Sequence, residues 1–407
     1  MSLIAEREWN NTSYTKNEFY IVFLEKEEKR MENQRQWEEE FLSKVYEKLF
    51  WATDEVSSLK PYTTKDGIYN APPAGKYHWF CGFWGGIQWW LYKFSKDEKF
   101  LKKAKAISED MDYGLTDFVQ LDHDVGFQYL LTTVADYEIT GSDRAMVSGI
   151  HAATLLAGRF NLAGRYIRAW NETKYLNPTE SKTGYAIIDC MMNLPLLFWA
   201  SEETGDPRFR QIAEAHADTA LREFIREDGS SHHIVVFNPE DGSVVDFPAG
   251  QGYASGSSWT RGQGWAIYGF AMAYFYTKKK EYFETALKVA KNFLKRMPET
   301  GIPPVDFDQP EEPAEMDSSA GVIALCGMID LKKWASEEDQ QWLEEGICLL
   351  FKGAYANCDF TKDSQAVLQN GKELYHGGCQ KVLIYGDFYL MEALMKRRGC
   401  DYLFHKQ

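Results

Sequence analysis

Long apolar runs, paired cysteines and a surplus of basic residues are all missing from this 407-residue chain. No apolar stretch reaches the roughly 20 residues that a helix needs to span a bilayer. The seven cysteines are scattered without a Cys-x-x-Cys pair, a usage that fits a reducing compartment rather than a disulfide framework. Lys and Arg number 45 against 60 Asp and Glu, a net charge of −15, which argues against a nucleic-acid partner because phosphates demand a basic face. The first residues, MSLIAEREWNNTSYTKNEF, contain no basic region leading into an apolar core, so no signal peptide is expected. The eight histidines show no His-Glu-x-x-His or comparable spacing, and neither a metal nor a cofactor is expected. The expectation from these absences is a soluble, cytoplasmic protein with no nucleic-acid or membrane partner, acting as a monomer or small homo-oligomer.

What is present is apolar and aromatic: 44% hydrophobic residues and 15% Phe, Trp and Tyr. Asn17 to Phe50 reads as a long charged helix with an intermittent stripe of Phe19, Phe23, Trp37, Phe41, Val45 and Leu49. After a loop holding PYTTKDG and APPAG, one type of unit recurs. Each unit has a small-residue start, an apolar helix, a polar turn and a more amphipathic helix. The apolar helices begin near Phe83, His123, Ala186, Ser258 and Met316, and a last apolar segment begins at Val382. A helix apolar nearly all round belongs inside, and an amphipathic one has a solvent face. Alternation of the two predicts a single all-α domain over residues 1–407, an (α/α)6 barrel, with residues 1–16 loosely held. Long loops are expected at one mouth. Strand content should be low, confined to one hairpin around His232–Pro248 with Asp-Gly as its turn.

Asp124, Asp189, Arg261, Asp317 and Asp387 all fall at starts of the presumed inner helices, so the ring would bring them to one mouth. Helix capping explains most acids at such positions. It explains Asp189 least, because AIIDCMMNLP surrounds it with apolar neighbours. Desolvation there, and like-charge repulsion from a nearby Asp124, should raise its pKa and keep a proton available for general acid chemistry. Asp124, in LDHDVGF, has more polar neighbours and is expected to stay ionised and accept from substrate hydroxyls. In GQGYASGSSWTRGQGW, glycines allow close backbone approach and Arg261 and Trp265 lie one helical turn apart. A cation beside an indole suits a flat anionic ring. RGQGW lacks the lysine and hydroxyl of a phosphate loop. The residues alone give two acids, one anion clamp and aromatic plates.

HDVGF at 123–127, AIIDCMMNLPLLFWASEETGD at 186–206 and QGYASGSSWTRGQGWAIYGF at 251–270 resemble the signature segments of unsaturated glucuronyl hydrolases, glycoside hydrolase family 88. The resemblance runs from about Tyr77 onward and implies the (α/α)6 barrel reached above from the repeat. It implies a substrate made by lyases, an oligosaccharide whose non-reducing uronic acid carries a C4=C5 double bond. It also implies hydration of that enol ether, with Asp189 giving its proton to C4 and water adding to C5. Matched position by position, Asp124 and Asp189 are the family aspartates. His233, Gln251 and Arg261 are sugar contacts, Trp259, Trp265 and Trp79 aromatic walls, and Lys381 a contact to the neighbouring sugar. His123 and His232 read as support, and Trp89, Trp90, Trp170 and Trp199 as packing. Family members that prefer sulfated disaccharides carry Ser-x-x-Ser-x-Lys. The corresponding HGGCQK at 376–381 has His376 and Cys379 in place of the serines, which argues against a sulfated substrate. The competing readings are an unsaturated rhamnogalacturonyl hydrolase on the same barrel, a toroid sugar epimerase and a non-catalytic carbohydrate binder.

Overall fold

The computed structural model describes residues 16–72, 76–117, 120–171, 181–377 and 381–405, with backbone alone for 16–28, 30 and 31. The chain divides into two units, Met1–Glu47 and Lys48–Gln407. The division falls inside the first helix, α1 (Lys16–Glu55). Residues 1–15 and the side chains of Phe19 and Phe23 lie outside the described residues. The first unit, so far as described, is helical.

The second unit is a ring of helices in pairs. Its inner members are α2 (Phe83–Ser95), α4, α6 (Leu194–Thr204), α8 (Thr260–Thr277), α10 (Ser318–Trp334) and α12 (Ile384–Arg397). Helix α4 runs in three pieces, Val125–Tyr129, a π-helical turn Leu130–Val134, and Ala135–Thr140. The partners are α3 (Glu98–Gly114), α5 (Asp143–Ala157), α7 (Pro207–Glu223), α9 (Lys280–Lys295) and α11 (Glu337–Ala356). Each inner helix packs on the next, and α12 closes the circle against α2. This is the α/α barrel expected from the repeat.

The sequence enforces this division locally. In α8 every residue from Thr260 to Ala273 is buried, whereas α9 buries Tyr282, Ala286, Leu287, Val289, Ala290 and Phe293 on one stripe. Polar turns between partners end one helix and start the next. Gly141 and Gly205 take positive φ at the ends of α4 and α6, and Ser142 and Asp206 then cap α5 and α7 with their side chains. No helix among the described residues is long and apolar enough to cross a membrane.

The strands are short and three of them matter here. The expected hairpin is present as β6 (Ile234–Phe237) against β7 (Val244–Asp246). A third strand, β5 (Tyr185–Ile187), was not expected; it pairs antiparallel with β6, Ile187 opposite Ile234. Elsewhere β1 (Thr64–Lys65) pairs with β2 (Ile68–Tyr69), and β3 (Phe160–Asn161) with β4 (Tyr166–Ile167).

Candidate active site

Strand β5 delivers the chain into a 3-10 turn, Ile188–Met192, that carries Asp189. Ile188 N–H donates to the His233 carbonyl at 3.0 Å, extending the β5–β6 ladder by one bond. That bond sets Asp189 and His233 side by side, with His233 Nε2 3.6 Å from Asp189 Oδ2. The histidine is fixed from behind: its Nδ1 accepts from Gln251 N–H at 3.0 Å. Burial pushes the His233 pKa down to about 3, so the ring is neutral at pH 7. The ring's other nitrogen, Nε2, is the atom that faces Asp189. Gly250 is required for this arrangement. It has a φ of +61°, and a Cβ there would lie 2.1 Å from His233 Nδ1.

Asp189 is nearly enclosed, its side chain 14% exposed. Burial raises its pKa to about 7, against the downward pull of the Arg261 charge and the Trp265 indole N–H. Asp124 starts α4 and also sits almost buried, with Asn193 Nδ2 donating to its Oδ1 at 3.2 Å. Its pKa is pushed well above the carboxylate range by burial first and then by Asp122 and Asp189. The expectation that Asp124 is the polar, readily ionised member of the pair is therefore corrected. Asp122, which the sequence did not single out, bonds the Asp124 N–H at 2.9 Å and adds its own charge to the same small volume. Fully buried His123 is held neutral by burial, and its Nε2 lies 3.4 Å from Asp124 Oδ1.

Asp124, Asp189, His233, Gln251, Arg261, Trp265 and Trp79 line one cavity of about 380 Å³. Asp122, Trp170, Glu373 and Tyr385 complete much of its wall. Trp170 packs on Ala169, Ile187 and Ile234, as expected, and also faces the cavity. Trp259 and Lys381 are not among the lining residues. Trp259 is 2% exposed behind His233, with ring centroids 4.2 Å apart, and its indole carries the Arg261 guanidinium at 4.7 Å. Lys381 reaches Glu373 instead, Nζ to carboxylate at 2.8 Å. Cys379 lies outside the described residues; His376 Nε2 lies 2.7 Å from the Tyr253 carbonyl oxygen.

Arg261 differs from the expected free clamp. Its Nη1 donates to Asp317 at 2.6 Å and to the Lys372 carbonyl at 2.7 Å, and Nη2 donates to the Glu373 carbonyl. The guanidinium therefore pins the loop carrying Glu373 while its charge stays on the cavity wall. Asp317 and Asp387 do not enter the cavity. Asp317 is the partner of Arg261 and caps α10 through Ser319 N–H. Asp387 accepts from the Val367 and Leu368 N–H groups and the Tyr69 hydroxyl.

Asp122, His123 and Asp124 form the group of possible metal-ligand atoms within 4.8 Å of one another among the described residues. The Arg159 charge acts on all three, which opposes a cation in that place. The wall also carries buried polar atoms that find no hydrogen-bond partner among the described residues, Asp189 Oδ2 and His233 Nε2. Such groups are costly to leave unmet, and together they describe a recess shaped for a polar ligand with an aromatic floor.

The model of Glycosyl Hydrolase Family 88 matches residues 52–274, more than half of the chain. The chain belongs to glycosyl hydrolase family 88. Its relatives include the unsaturated glucuronyl hydrolase of Bacillus sp. (strain GL1), 36% identical over 327 residues, 78% of this chain and 85% of that one. The unsaturated chondroitin disaccharide hydrolase of Streptococcus pneumoniae (strain ATCC BAA-255 / R6) is 33% identical over 344 residues, 82% and 84% of the two chains. The solved structure of the Bacillus sp. GL1 unsaturated glucuronyl hydrolase, described as responsible for the degradation of glycosaminoglycan, aligns with a TM-score of 0.84. It is 30% identical, covering 90% of this chain and 99% of that one. The family 88 match spans both aspartates, His233, Gln251 and Arg261, and stops before the segment of Glu373, Lys381 and Tyr385.

Proposed function

We propose that this family 88 hydrolase removes the unsaturated uronic acid from the non-reducing end of lyase-generated, glycosaminoglycan-type oligosaccharides by hydrating its C4=C5 bond. The observation that carries the reading is Asp189, a nearly buried carboxyl with a pKa of about 7, facing Nε2 of a neutral histidine in an aromatic-walled recess. A carboxyl of that pKa holds a proton at neutrality and gives it up readily, as an acid that must next act as a base has to do.

In the proposed reaction the Asp189 proton goes to C4, and the π electrons form the C4–H bond. Positive charge develops on C5 and is shared by the ring oxygen. Water then adds to C5 and returns a proton to the Asp189 carboxylate, so the enzyme ends as it began. The C5 hemiketal opens, giving the C5 ketone and releasing the rest of the sugar from C1. The Asp189 carboxylate and the neighbouring Nε2 of His233 hold the water, and the Asp124 carboxyl hydrogen-bonds to ring hydroxyls. Trp265, Trp79 and Tyr385 offer ring faces for the flat unsaturated sugar. The Arg261 charge favours its carboxylate. Trp259 backs His233 rather than the sugar, and Lys381 acts through Glu373.

Neutralisation of Lys381 by Glu373 supports an unsulfated neighbouring sugar as the preferred one. The six described cysteines are free thiols, which fits the proposed cytoplasmic location. A monomer or small homo-oligomer belongs to the same reading. The test is loss of the ultraviolet absorbance of the conjugated enol ether on unsaturated glucuronyl-hexosamine disaccharides, with unsaturated rhamnogalacturonan fragments beside them. Turnover by the wild type and its loss in D189N are expected. Near-normal turnover by D189N, or turnover of the rhamnogalacturonan fragments alone, overturns the reading.

A further inference from the structure

Four described helices have an aspartate as their N-cap: Asp97 for α3, Asp124 for α4, Asp206 for α7 and Asp317 for α10. Three of these use their own carboxylates to accept from a backbone N–H of the first turn. Asp124 does not. Those three take the N–H two residues on; the other N–H that a cap residue can reach, three residues on, belongs here to Phe127 and donates instead to Asn193 Oδ1 at 2.8 Å. Asn193 lies 66 residues away, at the junction of the Asp189 turn and α6, and is fully buried. Since a backbone N–H can only donate, Oδ1 must face Phe127, and the amide nitrogen is thereby aimed the other way. It donates to Asp124 Oδ1 at 3.2 Å and to the Asp189 carbonyl at 3.3 Å. Gly126 makes room for this: a Cβ there would lie 2.5 Å from both Asn193 Cα and Oδ1.

We propose that Asn193 is a positioning residue for this reaction: by capping α4 in place of Asp124 it frees the Asp124 carboxyl for substrate, and its amide holds that carboxyl in register with the Asp189 turn. The inference rests on the hydration reading given above and adds to it the group that keeps the two acids apart in function. An aspartate at a helix start falls by default onto its own first-turn N–H groups. In that pose Asp124 is a cap and not a ligand. The charged and titratable groups acting around it are Asp122 and His123 on its own loop, Asp189 and Cys190 on the facing turn, Arg159, and Tyr389 of α12. None of them takes the Phe127 N–H.

Two variants test it, N193A and N193D. N193A removes both acceptor and donor, and Asp124 should turn back onto Phe127 N–H. A displacement of that size lowers kcat/KM by about 100-fold. N193D keeps the shape and the acceptor for Phe127 but, once ionised, sets a carboxylate against Asp124. Protonation restores a donor, so the ratio of its rate to that of wild type should climb about tenfold or more from pH 7 to pH 5. A purely structural role gives a ratio independent of pH, and that result, or rates within twofold of wild type, overturns the inference. Crystal structures of the two variants read the same point without substrate. Asp124 capping Phe127 in N193A supports the proposal, and an unmoved Asp124 refutes it. A wild type inactive on every unsaturated disaccharide would sink the functional reading alone, since the position of Asp124 in the variants is still decided by those structures.

Discussion

Replacing Asp189 by asparagine should abolish turnover and, at the same time, stabilise the protein in a pH-dependent way. The Asp189 pKa rises from 3.8 to about 7 on folding, chiefly through burial. At 1.36 kcal/mol per pKa unit that is on the order of 4 kcal/mol held against the ionised form. Below pH 3.8 the carboxyl is protonated in both the folded and the unfolded chain, and folding bears no cost. Between 3.8 and 7 the unfolded chain releases the proton while the folded chain keeps it, so stability falls as pH rises. Above 7 the full cost applies. Asparagine has the same shape and no charge, and it also lifts one of the repulsions on Asp124. The gain of D189N over wild type should therefore be on the order of 1.5 kcal/mol at pH 5 and 4 kcal/mol at pH 8. Urea unfolding followed by circular dichroism at the two pH values measures it. An equal gain at both, or a less stable D189N at pH 8, would refute the claim that burial holds the proton on Asp189.

The same carboxyl sets the activity profile: kcat/KM on an unsaturated disaccharide should fall about tenfold per pH unit above roughly pH 7, because the proton donor is being lost. A flat rate from pH 6 to 9 contradicts this assignment. R261A removes the partner of a fully buried Asp317 and the donor to two loop carbonyls, which should cost about 3–5 kcal/mol of stability besides weakening substrate binding. An unfolding midpoint equal to that of wild type in R261A counts against Arg261 as the pin of that loop. Since Glu373 occupies Lys381, disaccharides without sulfate should be turned over faster than their sulfated counterparts. E373Q should narrow the gap, and an unchanged preference would remove Glu373 from specificity.

The ring was legible because each unit carries its own signals. An inner helix such as α8 is apolar through four turns, and the turns between partners repeat a left-handed residue followed by a cap, as at Gly141–Ser142 and Gly205–Asp206. Asp189 was legible for a related reason, as an acid with apolar neighbours and no solvent to reward it. Asp124 was misjudged because local sequence polarity says nothing of what the fold stacks on top of it. Asp122 and Asp189 do that, and the second lies 65 positions further along the chain. Arg261 does line the cavity, but its partners, Asp317 and the carbonyls of Lys372 and Glu373, come from segments with no local link to it. Strand β5 was hidden for want of length: three residues give no alternation to read, and only pairing with β6 makes them a strand. Asn193 and Tyr385 look like ordinary helix-start residues until the ring closes around them.

Deuterium labelling reads directly where the proton goes. An unsaturated disaccharide incubated with the enzyme in D2O, sampled early by proton NMR, should acquire one deuterium at C4 in a single configuration as the vinyl signal disappears. D189N should leave both unchanged. A product that is cleaved from its neighbour with the C4 vinyl proton still in place would mean that water attacked the anomeric carbon, and the proposed chemistry would be wrong.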